Sequence, residues 1–521
     1  MPLVEVDKKK YNVLDHEFIK VPNEEYCNLN ILESVGIFER LISLIKEITS
    51  FHSKHDDQNI IFTGISHGGY IPIQIKENII NPIYVYESDE QQLQNLYINS
   101  DKYLTPNQRF YINTLLDQRG ETFLIINLFE NSSMVEKFIT EGTKTPIIIS
   151  KIHIFIPNTT IYNISNSEFF IIVPNPHKEA FENHFKYEIQ GNTLTYDNLV
   201  HYTMIVKNAG NDLEDVLIQN MKHFDRWTIL DTGSTDNTID IINKVLVGKK
   251  RGQLFQEPFI NFRDSRNRCL DLAGDVCKFS IMLDDTYIIK GDFRHFLNTV
   301  RGDQFSDSFS MYIQSDDTEY VSNRVLKTNR KLRYLYKIHE VIQFKNNVNV
   351  IIPIQKSLLF DFRSDYMENR TMTRKEYDLK LLFEENEEDP ETPRHLYYIA
   401  QTYNLLEKYE LAFQYFIKRV EHKNQGFLQE KVDACFEAAR IANFKLNKPW
   451  NECEKIYMKC YDLEPSRPEA LYFIGIHYYL EGNQEKSFDF FKKAFEIGYP
   501  IHKQYSLKPT LSFYFLPKFL V

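Results

Sequence analysis

Trp227-Thr228-Ile229-Leu230-Asp231-Thr232-Gly233-Ser234-Thr235-Asp236-Asn237-Thr238, running on into Ile239-Asp240-Ile241-Ile242-Asn243, is the stretch on which the fold turns. Its first four residues are bulky or β-branched and predict a buried strand, and Ile239, Ile242, Val245 and Leu246 then recur at helical spacing. Between strand and helix lie small and polar residues, Asp231 to Thr238. In open α/β sheets ligands dock at such a turn, because it frees backbone N–H groups and the helix amino end favours anions. A capped turn, with Ser, Thr or Asp satisfying only the first helical N–H groups, explains any one of these residues. It explains the whole set less well.

Upstream, Tyr202 to Val206 reads as a short strand leading through Lys207-Asn208 into a turn. Asn211, with Glu214 three residues on, is expected to cap a helix whose apolar face is Leu213, Val216, Leu217 and Met221. Downstream, Gln253 to Phe255 predicts a third strand, and Ser265 is expected to cap a helix carrying Arg266, Cys269, Leu270 and Ala273. Lys278 to Leu283 then predicts a strand ending at Asp284-Asp285-Thr286-Tyr287. Carboxylates at a strand end can hold a divalent cation on a diphosphate, and magnesium or manganese suits oxygen ligands. Successive strand side chains point to opposite faces, so Asp284 and Asp285 share an ion only if the chain turns there.

Asp-x-Gly-Ser-x-Asp-x-Thr after an apolar strand resembles the nucleotide-binding segment of family-2 glycosyltransferases of the GT-A fold. The resemblance implies a Rossmann-like mixed sheet over residues 200–371. It implies that Asp231, Gly233, Ser234 and Asp236 seat the nucleotide of a sugar donor, with Asn208 from the first loop and Arg266 from the Arg266-Asn267 helix contributing. In that family an Asp-x-Asp motif binds the metal. Here Asp284 matches its first position, Thr286 stands at its second, and Asp285 is the neighbouring carboxylate. Arg333 to Ile342, ending in His339-Glu340, is similar to an Arg…Tyr…His-Glu element of family members with helical-repeat tails, which implies His339 near the ion. Mn2+ or Mg2+ is the expected cofactor. An inverting transferase also needs a carboxylate to take the acceptor proton, and Asp316, Asp317 and Glu340 are the candidates, the first two in the position the family favours. UDP-sugars are the commonest donors in such a family, and a glycan or protein hydroxyl is the implied acceptor.

From about residue 372 the composition becomes helical, with the acidic run Glu384 to Asp389, Pro390 and Pro393 expected to form a linker turn. Leu396, Ile399, Ala400, Tyr403, Ala412 and Phe416 align with Leu471, Ile474, Gly475, Tyr478, Ser487 and Phe491. A divergent middle copy, Val432 to Pro465, fits if an insertion near Lys448 is allowed. The pattern resembles tetratricopeptide repeats of about 34 residues, which stack and present a concave face that could hold the acceptor. Residues 372–521 are therefore expected to be all helix.

Residues 1–199 are expected to form an α/β module. Asn59 to Phe62 predicts a strand running into Thr63-Gly64-Ile65-Ser66-His67-Gly68-Gly69, and Ile83 to Tyr86 a second ending at Glu87. Gly64-x-Ser66-x-Gly68 matches a hydrolase nucleophile elbow, but no Asp or His partner is marked. A glycine loop after one strand and a carboxylate after the next is also the order of Rossmann-like methyltransferases, where the carboxylate binds a ribose. That reading makes the chain bifunctional, with S-adenosylmethionine as its second ligand.

At 521 residues the chain exceeds one core, so roughly two to four domains are expected. A net charge of −11 without a basic block disfavours nucleic acid and anionic membranes as partners. The amino terminus lacks a signal-peptide core, and no apolar run reaches the roughly 18 residues of a membrane span, which points to a cytosolic chain. Six scattered cysteines without a Cys-x-x-Cys pair suggest neither a disulfide framework nor a zinc cluster. Thr286 also leaves open a decayed enzyme in which the repeats act as a scaffold.

Overall fold

The computed structural model describes residues 151–499 apart from 166, 304, 315–318, 344–347 and 363–364, then 511–519. Of the first 150 residues it describes 10–13, 16–19, 39–49, 59–63, 83–86, 96, 111–112, 122–128, 135 and 146–150. Among the described residues the architecture is mixed α/β, with two nine-stranded sheets and two two-stranded hairpins, one of them pairing residues 10–13 with 16–19, followed by an all-helical region.

The first sheet contains β1 (Asn59–Thr63), β2 (Ile83–Tyr86), β3 (Tyr111–Ile112), β4 (Thr122–Asn127), β5 (Ile147–Ser150), β6 (Thr159–Ile164), β7 (Phe170–Pro174), β8 (Ile189–Gln190) and β9 (Thr193–Leu194). Its order is β8-β9-β6-β7-β5-β4-β1-β2-β3. Strands β5, β4, β1, β2 and β3 are parallel, and β7 lies antiparallel between β5 and β6. Central strands buried on both faces need continuous apolar runs, and Leu124-Ile125-Ile126 and Ile147-Ile148-Ile149 supply them. α1 (residues 39–49) packs Leu44, Ile45 and Ile48 into this core. The glycine loop at 64–69 and Glu87 lie outside the described residues.

After α2 (Asn175–His184), the second sheet begins. Its strands are β10 (Val200–Val206), β11 (Arg226–Asp231), β12 (Arg251–Gln256), β13 (Phe279–Met282), β14 (Tyr287–Gly291), β15 (Ser308–Gln314), β16 (Glu319–Lys327), β19 (Asn349–Ile351) and β20 (Ser357–Asp361), while β17 (Tyr334–Leu335) and β18 (Val341–Ile342) form a separate hairpin. The order is β12-β11-β10-β13-β16-β15-β20-β14, with β19 beside β15. The first four are parallel and β16 turns antiparallel against β13. Four helices interleave: α3 (Asp212–Asn220), α4 (Thr238–Leu246), α5 (Phe262–Ala273) and α6 (Phe293–Thr299). The carboxyl ends of β10, β11 and β13 therefore share one edge of the sheet.

Two expected caps are made differently. Helix α5 is capped by Asn261, whose side chain accepts from the Asp264 N–H, and Ser265 is buried inside the helix. The start moves forward because the Phe262 N–H is already bonded to the Lys337 carbonyl, 3.0 Å away. Asn211 makes no side-chain cap on α3; its Oδ1 accepts from Asn237 Nδ2 at 2.6 Å, and Glu214 pairs with Lys244.

The helical region comprises α7 (Asp365–Glu388), α8 (Arg394–Leu405), α9 (Tyr409–Glu421), α10 (Leu428–Phe444), α11 (Trp450–Leu463), α12 (Glu469–Leu480) and α13 (Gln484–Ile497), each packed on the next. Three helix pairs, α8–α9, α10–α11 and α12–α13, correspond to the three copies read from the sequence. A Cβ at Gly475 would meet the Phe491 ring at 2.8 Å, so this close helix approach requires the small residue of the repeat. The acidic run is no linker: α7 continues through Glu388, and the turn is confined to residues 389–393. Lys337 stabilises the run, its Nζ bonding Glu388 at 2.7 Å and its N–H the Glu385 carboxylate at 2.5 Å.

Candidate active site

The Asp231 turn closes on itself. Asp231 is buried, and its carboxylate accepts from the N–H groups of Gly233 at 3.2 Å and Ser234 at 3.1 Å. Gly233 has φ 103°, a conformation that strains any side chain. Ser234 Oγ accepts from the Asn208 N–H at 2.9 Å, Asn208 Oδ1 from the Thr235 N–H at 2.7 Å, and Asp236 Oδ2 from the Gly210 N–H at 3.1 Å. Burial pushes the Asp236 carboxyl up, but hydrogen bonds from Thr238 and Gly210 together hold it below its ordinary value. Much of the polarity read as a nucleotide seat thus clamps residues 207–211 to the turn. Gly233, Thr235 and Asp236 stay exposed on the rim.

Asp284, just beyond β13, is the centre of a charged cluster. Its Oδ1 accepts from Arg266 Nη2 at 2.5 Å, and its Oδ2 lies 3.4 Å from Arg324 Nη2. The other edge of Arg266 donates through Nε to Glu340. Burial pushes the Asp284 carboxyl up, yet Arg266 and Arg324 outweigh it and hold the group well below the carboxylate range. Its side chain is 29% exposed, against 7% for Arg266 and 13% for Arg324, so Asp284 is the member that faces solvent. Arg324 also reaches Tyr287 Oη at 3.4 Å, and Tyr287 Oη meets Tyr320 Oη at 3.1 Å. Asp285 is buried, and Thr286 Oγ1 donates to Asp361 at 2.7 Å.

The hairpin that carries His339 and Glu340 is held on two sides. Asn267 exchanges hydrogen bonds with the Tyr334 backbone at 2.8 and 3.0 Å. From the helical region, Arg394 Nη2 donates to the His339 carbonyl at 3.0 Å, pairs with buried Glu430 and lies over Tyr398, on which the His339 ring stacks at 3.9 Å. Tyr336 and His339 both have positive φ, 66° and 51°, so the loop is strained and fixed by its surroundings. Burial, then Lys375, Arg394 and Arg374, push the His339 imidazole well below its usual value.

The expected site residues are therefore brought together unevenly. Arg266, Asp284 and Glu340 meet directly, Asn208, Ser234 and Asp236 form the neighbouring rim, and Asp316 and Asp317 lie outside the described residues. The donor set does not fit the expected ion. Both Asp284 oxygens face guanidinium groups, three cations surround His339, and among the described residues no group of three or more His, Cys, Asp or Glu could hold a metal. Sequence reading missed Arg324, Arg394 and Tyr398. The one local sign of Arg324 is a charge in the middle of β16, where the residues from Tyr320 to Leu326 are otherwise uncharged. A shallow concavity of about 270 Å³, lined by Asp271, Gly274 and Lys331 among others, lies by Ser280 near the amino end of β13, away from this cluster.

No family model matches the chain, and no curated protein matches it. Solved structures that overlap it include MamA from Desulfovibrio magneticus RS-1, 19% identical with a TM-score of 0.21 over 25% of this chain and 72% of that one. Another MamA crystal structure is 15% identical, with a TM-score of 0.21 over 26% and 75% of the two chains. Likeness at that level carries no argument about function.

Proposed function

We propose that the second sheet is the catalytic unit of a GT-A glycosyltransferase, moving a sugar from a nucleoside-diphosphate donor to an acceptor hydroxyl with inversion. The observation that carries this reading is the convergence of the Asp231 turn and the Asp284 cluster on the carboxyl ends of β11 and β13, flanking β10. Strand order reverses at β10, and the crevice beyond such a reversal is where ligands bind in open α/β sheets. The acceptor oxygen would attack the anomeric carbon as its proton passes to a carboxylate, while the bond to the diphosphate oxygen breaks with its electron pair leaving on the nucleotide. Glu340 is committed to Arg266, so Asp316 or Asp317 is the better base. The helical repeats would hold the acceptor.

The direct test incubates the full chain with a panel of UDP-, GDP-, CDP- and dTDP-sugars and follows release of the nucleoside diphosphate, with mass spectrometry of added glycans and peptides. Release from one donor class, accelerated by an acceptor, is the expected outcome. Stable donors throughout, with a partner captured by the repeats, would favour the scaffold reading.

A second reading concerns the first sheet, whose order likewise reverses at β1, between β2 and β4. A nucleoside ligand is expected at that crevice. With Glu87 following β2 in sequence, S-adenosylmethionine is the ligand to try. A thermal shift abolished by Glu87→Ala would support it, and no shift in the unsubstituted chain would remove it.

A further inference from the structure

We propose that Arg266 and Arg324 form a diphosphate subsite that takes the place of the divalent ion, with Asp284 occupying the two guanidinium groups until the donor arrives. The inference rests on the donor reading above and refines it.

Three observations carry it. First, the two arginines come from separate elements, α5 and β16, and converge on one carboxylate at the strand end where a donor would dock. Second, their hydrogen-bonding capacity is not used up. A guanidinium has five N–H donors. Arg266 Nη1 is buried without a partner, although the other two nitrogens each hold a carboxylate. Arg324 donates from Nε to Ser322 Oγ at 3.1 Å, and its Nη2 contacts to Tyr287 and Asp284 are both 3.4 Å, longer than ordinary N–H···O bonds. The planar fork suits phosphate oxygens better than these loose contacts. Third, charge is balanced: two arginines face two carboxylates, Asp284 and Glu340. A phosphate that displaces Asp284 from both arginines meets two cations held by Glu340 alone.

In the transfer step the electron pair of the breaking carbon–oxygen bond settles on the terminal phosphate oxygen. The guanidinium groups are in place before that charge develops, which is how preorganised donors lower a barrier.

The test is calorimetric titration of the full chain with UDP, GDP, CDP and dTDP, each in excess EDTA and again in manganese. One nucleotide is expected to bind about equally in both. Arg324→Ala should weaken it roughly tenfold or more, as loss of a charge-assisted hydrogen bond implies, with the thermal transition of the free protein retained. Asp284→Asn decides the sign: it should tighten binding in EDTA by releasing the arginines, whereas at an ion site it would abolish manganese-dependent binding. Binding that requires manganese, or weakening by Asp284→Asn, overturns the inference and leaves the donor reading standing. Absence of binding by all four nucleotides in both conditions overturns the two together.

Discussion

The same parallel strands carry a cluster of arginines and carboxylates at each end, and the two clusters differ in what they join. At the amino ends, Asp197 pairs with Arg294 and Arg301. Asp225 accepts from Arg294 at 2.7 Å and from the Leu199 and Val200 N–H groups at 2.9 and 3.0 Å. Glu47 of α1 gathers His184, Tyr196, Arg226 and Arg251 within 3.3 Å, which ties the first sheet to the second. At the carboxyl ends, Asp284 is part-exposed, Arg324 is loosely held and Arg266 has an idle nitrogen. The amino-end pairs bridge two units and fix them in register, although Arg301 Nε and Glu39 Oε2 stand 3.6 Å apart without a hydrogen bond. Under-used pairs facing solvent leave capacity for a ligand.

The sharpest way to break this contrast is to remove one arginine from each end. Arg301 is 2% exposed, and Arg301→Ala leaves Asp197 with Arg294 and Glu39 with Lys278 as remaining partners, so a loss of about 3 kcal/mol in urea unfolding is expected. A loss below about 1 kcal/mol would mean that the seam is not a structural joint.

Arg394→Ala tests whether the helical region holds the site. It removes the bonds to the His339 carbonyl and Glu430, and about 1.5–3 kcal/mol of stability should go with them. Glu430 is pushed up by burial while Arg394 and Arg419 pull it down, so it can protonate and soften the loss. Nucleotide affinity should fall as well, because the hairpin would no longer press Glu340 onto Arg266. Unchanged affinity would make the repeats an appendage.

Acid should separate the ends further. Burial lowers His201 and His223 to about 4, helped by Arg226 for the first and by Lys222 and Arg294 for the second, and burial lowers His395 to about 4. Between pH 6.5 and 4 the unfolded chain thus binds more protons than the folded one. The stability these histidines contribute is present above about pH 6.5 and is lost as pH falls toward 4. Asp284 stays ionised through that window. The urea midpoint should be lower at pH 5 than at pH 7; an equal midpoint would contradict the buried neutral histidines.

The smallest effect is the companion of the largest. Arg324→Ala should cost under about 1 kcal/mol in the absence of ligand, since its ion pair is 3.4 Å long with a part-exposed partner. A loss as large as that of Arg301→Ala would erase the distinction between the two ends.

Periodicity and turn chemistry lie in consecutive residues, and for that reason the sequence alone determined a good deal. It set β10, β11, β13 and the Asp231 turn, the apolar strands of the first sheet, and the three helix pairs with small residues at Ala400 and Gly475. Each depends on residues close together in the chain. Strand order brought Arg266 and Arg324 onto Asp284 across 18 and 40 positions and Glu340 onto Arg266 across 74. The run at 384–388 looked like a linker because its partner, Lys337, is far away in sequence. Such pairings depend on which strands and helices become neighbours, and that is decided by burial of the whole apolar surface rather than by any local pattern. Tertiary structure therefore decided which charges clamp, which stand open, and that Asp284 meets arginines in the place where an ion was expected.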